Sequence, residues 1–278
     1  MATPPQRPGF PVRLDLGQGA KSVGGAVPRV GAGVVAQPRP NIPSPRPGAV
    51  PSSGTALPSQ ARDSIPARAR MVQMLSAEGI RDVQVLRAMG AVDRHGFVDS
   101  ALAAQAYEDT ALPIGLGQTI SRPSVVARMV ELLMQGGLCG EDGRLGRVLD
   151  IGTGCGYQAV VLGQLAVEVY SIERLRDLHE KARANLRPLR VSNVHLILGD
   201  GMAGFAKGAP YAGIIAAAGG DAVPDAWVEQ LAFGGRIVAP VSTAGGQQAL
   251  IVIDKSRQGV QQTVLETVNF VPLKSGLA

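Results

Sequence analysis

Several things are scarce in this chain, and each shortage removes a class of answer. Of its 278 residues only two are cysteine, Cys139 and Cys155, and three are histidine. That is too few for a disulfide scaffold, and no Cys/His cluster has the spacing of a structural zinc site. No metal site is expected, and a reduced, cytoplasmic setting is the expectation for such a chain. No apolar run approaches the roughly 18 residues that a membrane-spanning helix needs. The first residues, MATPPQRPGFPVRLDLG, lack the apolar stretch of a secretory signal. Neither a membrane partner nor export is expected. His95, His179 and His195 are scattered along the chain, and no nucleophilic triad is legible.

A basic excess is also missing from most of the chain, although the net charge is +5. Residues 1–64 hold seven basic and two acidic side chains, which accounts for the whole excess, and the remaining residues are balanced at 20 of each sign. A basic footprint for nucleic acid is therefore absent from the part that could fold, and no nucleic-acid partner is expected. Residues 1–66 hold 13 of the 20 prolines. The apolar residues of 1–64 are small and aperiodic, so that segment cannot bury enough surface to offset the entropy of ordering. Residues 1–64 are read as a disordered, solvated tail, and 65–278 as the folded domain.

That domain changes character along its length. Residues 67–77, 81–90, 99–106 and 123–134 carry apolar side chains at helical spacing, with Asp93 to Gly96 as a break. Pro123 suits a first helical turn. Residues 107–122 read as irregular. From 147 onward short apolar runs alternate with helical segments. The expected strands are 147–151, 167–172, 194–198, 212–217, 235–241, 249–253 and 263–270. The expected helices are 157–165, 174–186 and 225–231. This is the pattern of an α/β, mostly parallel, doubly wound sheet, with a helical N-terminal subregion (65–140) ahead of a Rossmann-like core (147–278). The last two strands have no helix between them and are expected to form an antiparallel edge.

Three strand ends carry candidate ligand groups. The first reads Asp150-Ile151-Gly152-Thr153-Gly154-Cys155-Gly156-Tyr157. Glycines turn the chain sharply and let its backbone approach a ligand, and the helix that follows adds oriented N–H groups. A dinucleotide loop wants G-x-G-x-x-G, whereas here the glycines alternate and Tyr157 stands at the third position. The pattern instead looks like the adenosylmethionine loop of class I methyltransferases. The second strand ends in Glu173, an acceptor suited to both hydroxyls of a ribose that bears no phosphate. The third ends in Asp200-Gly201, where a carboxylate could accept from an adenine amino group.

Residues 111–123, Ala-Leu-Pro-Ile-Gly-Leu-Gly-Gln-Thr-Ile-Ser-Arg-Pro, closely resemble the signature of the protein-L-isoaspartate O-methyltransferases. Arg94, Phe97-Val98 and Asp109 upstream agree with it, as do Val125-Val126-Ala127 downstream and Phe270-Val271-Pro272-Leu273 near the end. The resemblance runs over roughly 68–278. It implies a monomeric, cytoplasmic repair enzyme of class I methyltransferase fold, methylating the free α-carboxylate of L-isoaspartyl residues in damaged proteins from S-adenosyl-L-methionine. The ester then closes to a succinimide, whose hydrolysis returns some aspartate. It further implies Ser121 as the active-site serine. Gln118, Thr119, Ile120 and Ser121 would lie against the cofactor, together with Asp150, Gly152, Thr153, Gly154, Cys155, Gly156, Glu173, Asp200 and Gly201.

The bare reading of Ser121 is a cap for the helix at Pro123. Three departures from the family pattern stand out: Ala212 where Asp is usual, Ala217 where Thr is usual, and Cys155 in place of Ser. The first two put contacts with the cofactor wall in question, while Cys155 and Trp227 read as packing residues. Two other readings are kept beside the leading one. One is a methyltransferase of the same fold acting on another carboxylate or on RNA, and the other is an interaction protein that retains the fold without activity.

Overall fold

The structure, a computed structural model, describes residues 59–136, 138–243 and 245–278, with side chains from Ser64 onward. The expected disordered tail lies outside the described residues up to position 58. Order begins earlier than expected, because helix α1 (Ser59–Ala77) starts ahead of Ser64 and carries Pro66 inside it. Met71 and Leu75, both buried, fix its axis on the core, and the residues before Pro66 continue that axis.

Helix α2 (Val83–Ala91) follows. Asp82 caps it, its Oδ1 accepting from the Gln84 and Val85 amides. The expected break at 93–96 is a 3₁₀ turn, Arg94–Phe97, and the expected helix at 99–106 is the 3₁₀ segment Ser100–Gln105. Next comes a hairpin, β1 (Leu112–Gly115) and β2 (Gln118–Ile120), where the sequence read an irregular stretch. Its turn residues Leu116 and Gly117 have φ of 53° and 69°. Two positive φ values in a two-residue loop match the twist of a hairpin. Helix α3 (Pro123–Gly136) follows, and its buried Glu131 accepts from the Arg81 and Asp82 amides at the entry to α2.

The core alternates as expected: β3 (Leu145–Ile151), α4 (Tyr157–Gly163), β4 (Ala166–Glu173), α5 (Arg176–Leu186), β5 (Val194–Leu198) and β6 (Tyr211–Ala216). Then come α6 (Asp225–Gln230), β7 (Leu231–Ser242), β8 (Gln248–Ser256) and β9 (Gly259–Val268). The last three strands are longer than the sequence indicated. A bulge around Gly234, whose φ is 86°, lets β7 leave α6 with no loop between them.

The sheet order is β5-β4-β3-β6-β7-β8-β9. β5 to β7 are parallel, and β8 and β9 close one edge antiparallel. Adjacent strand residues enter different cores. Val148, Ile215, Val238 and Val252 pack with α1 to α4, whereas Leu149, Ile214, Ile237 and Ile251 pack with Trp227 of α6. Each such side chain contributes about 1.5–3 kcal/mol on burial. A strand buried on both faces reads as a continuous apolar run, which is why these strands were legible. The strand order reverses at β3, between β4 and β6, and at such a point the carboxyl ends of the strands leave a crevice.

Candidate functional site

The chain leaves β3 through three left-handed glycines, Gly152, Gly154 and Gly156, with φ of 91°, 55° and 91°. At Gly156 a Cβ would lie 2.5 Å from the Leu186 Cδ1 of α5, and at Gly154 it would lie 3.1 Å from Ile114 Cδ1 of the hairpin. The loop is thus pressed between α5 and the hairpin, and only glycine fits both the torsion and the space.

Two carboxylates hold the loop from β3 and β4. Glu173 is buried, with Oε2 accepting from the Gly154 amide at 2.9 Å and Oε1 accepting from the amides of Arg174 and Leu175. Asp150 is fully buried: Gln158 Nε2 donates to its Oδ1 and Ser171 Oγ to its Oδ2, both at 2.7 Å. Ser171 has one proton and spends it on Asp150, so the Thr153 hydroxyl, 2.7 Å away, donates to Ser171. Burial pushes the Asp150 carboxyl up to about 6, against the two hydrogen bonds that pull it down.

A cavity of about 470 Å³ opens at these strand ends. Among the expected residues, Gln118, Thr119, Gly152, Gly154, Glu173 and Gly201 line it. A recess of about 40 Å³ adjoins it, lined by Thr119, Ile120, Ser121, Thr153 and Cys155, with Gly152 and Gly154 shared between the two. Ser121 sits in the recess wall and its carbonyl accepts from Arg94 Nη2 at 2.7 Å. Its hydroxyl has no hydrogen-bond partner among the described residues, so the helix-cap reading is corrected. The first turn of α3 is held instead by Asp109, which accepts from the Ser124 amide and hydroxyl at 2.8 and 2.7 Å.

Three expected residues do not reach either space. Asp150 is spent on the network beneath the loop. Gly156 is the N-cap of α4 and packs on α5. Asp200 accepts from the Met202 amide through Oδ1 and from the Gly276 amide through Oδ2, so its carboxylate ties down the C-terminal segment. Of the two departures in β6, Ala217 lines both spaces, but Ala212 is buried at the start of the strand, far along it from the ligand end. Cys155 is buried, and Trp227 is buried with its Nε1 donating to the Gly201 carbonyl at 2.8 Å.

Sequence reasoning missed some of the wall. Residues 271–274 line the cavity, and Leu273 is held by its amide on the Gly219 carbonyl at 2.7 Å. Ile114, bulged out of the hairpin register, gives its carbonyl to Lys181 Nζ of α5 at 2.7 Å. The Phe270 to Leu273 match was the one signal for the first feature, and nothing in the sequence flagged Lys181. None of the three histidines lines the cavity, and no group of three or more His, Cys, Asp or Glu side chains among the described residues could hold a metal ion.

The donor and acceptor set fits an adenosyl cofactor. Glu173 presents an acceptor-only carboxylate, which suits hydroxyls and repels phosphate, while Ile151, Ile172 and Leu178 offer an apolar wall.

The family described as Protein-L-isoaspartate(D-aspartate) O-methyltransferase (PCMT) matches residues 67–278. A protein-L-isoaspartate O-methyltransferase of Methylibium petroleiphilum is 52% identical over 273 residues, 97% of this chain and 96% of its own. One of Leptothrix cholodnii is 56% identical over 243 residues, 86% of this chain and 84% of its own. Among solved structures, a protein-L-isoaspartate O-methyltransferase at 27% identity superimposes with a TM-score of 0.66, covering 76% of this chain and 67% of that one. A Plasmodium falciparum chain described as the same enzyme, in complex with S-adenosyl-L-homocysteine, shares the fold at 24% identity with a TM-score of 0.63, covering 74% and 98%. The chain belongs to the protein-L-isoaspartate(D-aspartate) O-methyltransferase family.

Proposed function

We propose that this chain repairs damaged proteins by methylating the free α-carboxylate of L-isoaspartyl residues with S-adenosyl-L-methionine. The observation that carries the reading is the hairpin with its L-P-I-G-L-G-Q-T-I-S segment. It borders the cofactor-sized cavity through Gln118 and Thr119 and ends at Ser121 in the adjoining recess. When bound, the cofactor supplies a methyl group on a sulfonium, so transfer to a carboxylate oxygen leaves a neutral thioether and moves no proton.

The residues around the cavity suit that chemistry. An α-carboxylate is ionised at neutral pH, so the acceptor needs orientation and no general base. Holding the reacting atoms about 3–3.5 Å apart in line can supply most of the rate. In this reading Glu173 accepts from the ribose hydroxyls, and Gly152, Gly154 and Gly201 admit the cofactor against bare backbone. The Ser121 hydroxyl, unspent on the protein, donates to one oxygen of the acceptor carboxylate and leaves the other to react. Asp150, Thr153 and Gly156 serve by holding the loop, and Asp200 by holding the C-terminal segment.

The finer statements belong to the same proposal. The enzyme acts as a cytoplasmic monomer with no nucleic-acid or membrane partner, and the residues ahead of α1 stand outside the catalytic domain. Support comes from the family resemblance and the balanced charge of residues 65–278. No helix among the described residues is long and apolar enough to cross a membrane.

The test is methyl transfer from labelled S-adenosyl-L-methionine to paired peptides, one with L-isoaspartate and one with aspartate. Transfer to the isoaspartyl peptide alone is expected. Transfer to both, or to neither with the cofactor bound, would refute the substrate assignment.

A further inference from the structure

A buried cation stands behind Ser121. Arg94 is fully shielded from solvent, and among the described residues no carboxylate forms an ion pair with it. Its Nε donates to the Ala106 carbonyl and its Nη2 to the Ser121 carbonyl, both at 2.7 Å. Its Cζ lies 4.9 Å from the centre of the Tyr157 ring, and Nη1 has no hydrogen-bond partner. Burying a guanidinium without an ion pair is expensive, and an apolar side chain of similar volume commonly serves a core better. What a hydrocarbon cannot do is bridge two carbonyls that lie 15 residues apart in the chain with one rigid planar fork.

The bridge has a companion. Three residues after Ala106, Asp109 grips Ser124, three residues after Ser121. The two segments 106–109 and 121–124 are therefore pinned to each other at both ends, and Ser121 is the pinned end nearest the recess.

We propose that Arg94 is the positioning residue for Ser121: its guanidinium, spanning the Ala106 and Ser121 carbonyls, holds the serine at the recess wall where an acceptor carboxylate would be gripped. The proposal rests on the function stated above. Arg94 acts through Ser121 and is not on the cavity wall, so its removal disturbs turnover while leaving the cofactor side intact.

The test is a double-mutant cycle on the full chain with Arg94→Lys, Ser121→Ala and the two combined. It is read as kcat and KM on an isoaspartyl peptide and as S-adenosyl-L-homocysteine affinity by calorimetry. Lysine keeps the charge and loses the fork. In the wild-type background Arg94→Lys should lower kcat by about 10- to 100-fold. In the Ser121→Ala background it should change kcat by less than about 3-fold, because the hydroxyl it positions is already gone. S-adenosyl-L-homocysteine affinity should stay within about 3-fold throughout. Equal losses in both backgrounds, or a parallel loss of S-adenosyl-L-homocysteine affinity, overturn the positioning role. If Arg94→Lys fails to fold by circular dichroism, Arg94→Gln is carried through the same cycle, and failure of both to fold assigns Arg94 to stability alone and overturns the proposal. A wild-type protein that binds S-adenosyl-L-homocysteine but does not methylate the isoaspartyl peptide overturns the functional reading itself, and the positioning role falls with it.

Discussion

Asp150 gives the sharpest quantitative test of the structure. Its carboxyl titrates near 6 in the folded chain, raised chiefly by complete burial, against about 3.9 in an unfolded one. Between those values the folded state binds more protons than the unfolded state, so stability falls as pH rises. The stabilising increment is fully present below about pH 4 and lost as pH rises through 6, and it is worth about 3 kcal/mol. Asparagine at this site keeps the shape and both bonds. Its oxygen accepts from Gln158, and its NH₂ donates to Ser171 Oγ once that hydroxyl turns its proton to Thr153. Urea unfolding of wild type and Asp150→Asn at pH 4 to 8 isolates the group together with its coupling to Glu173, because titrations not coupled to it cancel in the difference. The variant should gain about 2 kcal/mol on wild type between pH 4 and pH 8, most of it by pH 6.5. A difference that stays constant within about 0.5 kcal/mol over that range would refute the assignment of the titration to this carboxyl. Cofactor affinity should change little, since the carboxylate does not reach the cavity.

Three further perturbations separate the parts of the site. Glu173→Gln removes a charged acceptor and should weaken S-adenosyl-L-homocysteine binding by about 10- to 100-fold in calorimetry, where a change under twofold would exclude a ribose contact. Gly154→Val puts a branched side chain at φ 55° with its Cβ 3.1 Å from Ile114 Cδ1. It should cut S-adenosyl-L-homocysteine affinity by at least about 10-fold, and unchanged affinity would mean that the loop does not meet the ligand. Lys181→Met frees the Ile114 carbonyl. Amide exchange across residues 112–120 should then quicken about tenfold with little change in the global unfolding midpoint, whereas unchanged exchange would show that the hairpin is held by packing alone.

How far the sequence could be read follows from what each residue needed from its surroundings. The strands of the core announced themselves because β3 and β6 are buried on both faces, and an unbroken apolar run has one reading there. The hairpin did not, because its turn is Leu116-Gly117, and leucine at φ 53° carries none of the usual Asn-Gly signal. The positions around the cavity were legible as far as the motif dictates backbone. Gly152, Gly154 and Gly201 line the cavity as expected. Carboxylate direction was beyond reach. Asp150 stands two residues before Gly152, yet it points into a network that only the fold assembles from β3, β4 and α4. Asp200 was read as an adenine acceptor, and nothing local announced that its Oδ2 also accepts from the Gly276 amide, 76 residues away in the chain. Arg94 and Asp109 were seen only as companions of the signature, since their partners lie 12 to 27 residues further on.

These details show two polar frameworks that meet at one point. The glycine loop is held from beneath by Glu173 and by the Asp150, Ser171 and Thr153 network, all from the carboxyl halves of β3 and β4 or the loop itself. The hairpin and Ser121 are held from outside by Arg94, Asp109 and Lys181, none of which belongs to the sheet. The frameworks touch where Ile114 lies against Gly154, a Cβ on which would stand 3.1 Å from the Ile114 Cδ1. A site that joins a cofactor to a variable peptide gains from such a division. The cofactor half can be rigid, because its ligand never changes. The acceptor half can take its geometry from braces that are adjusted without disturbing the sheet. It follows that substitutions that break the first framework, unlike Asp150→Asn with both its bonds kept, should lower cofactor affinity and turnover together, and substitutions in the second should lower turnover alone. Gly154, where the two meet, is the position at which both should fail at once.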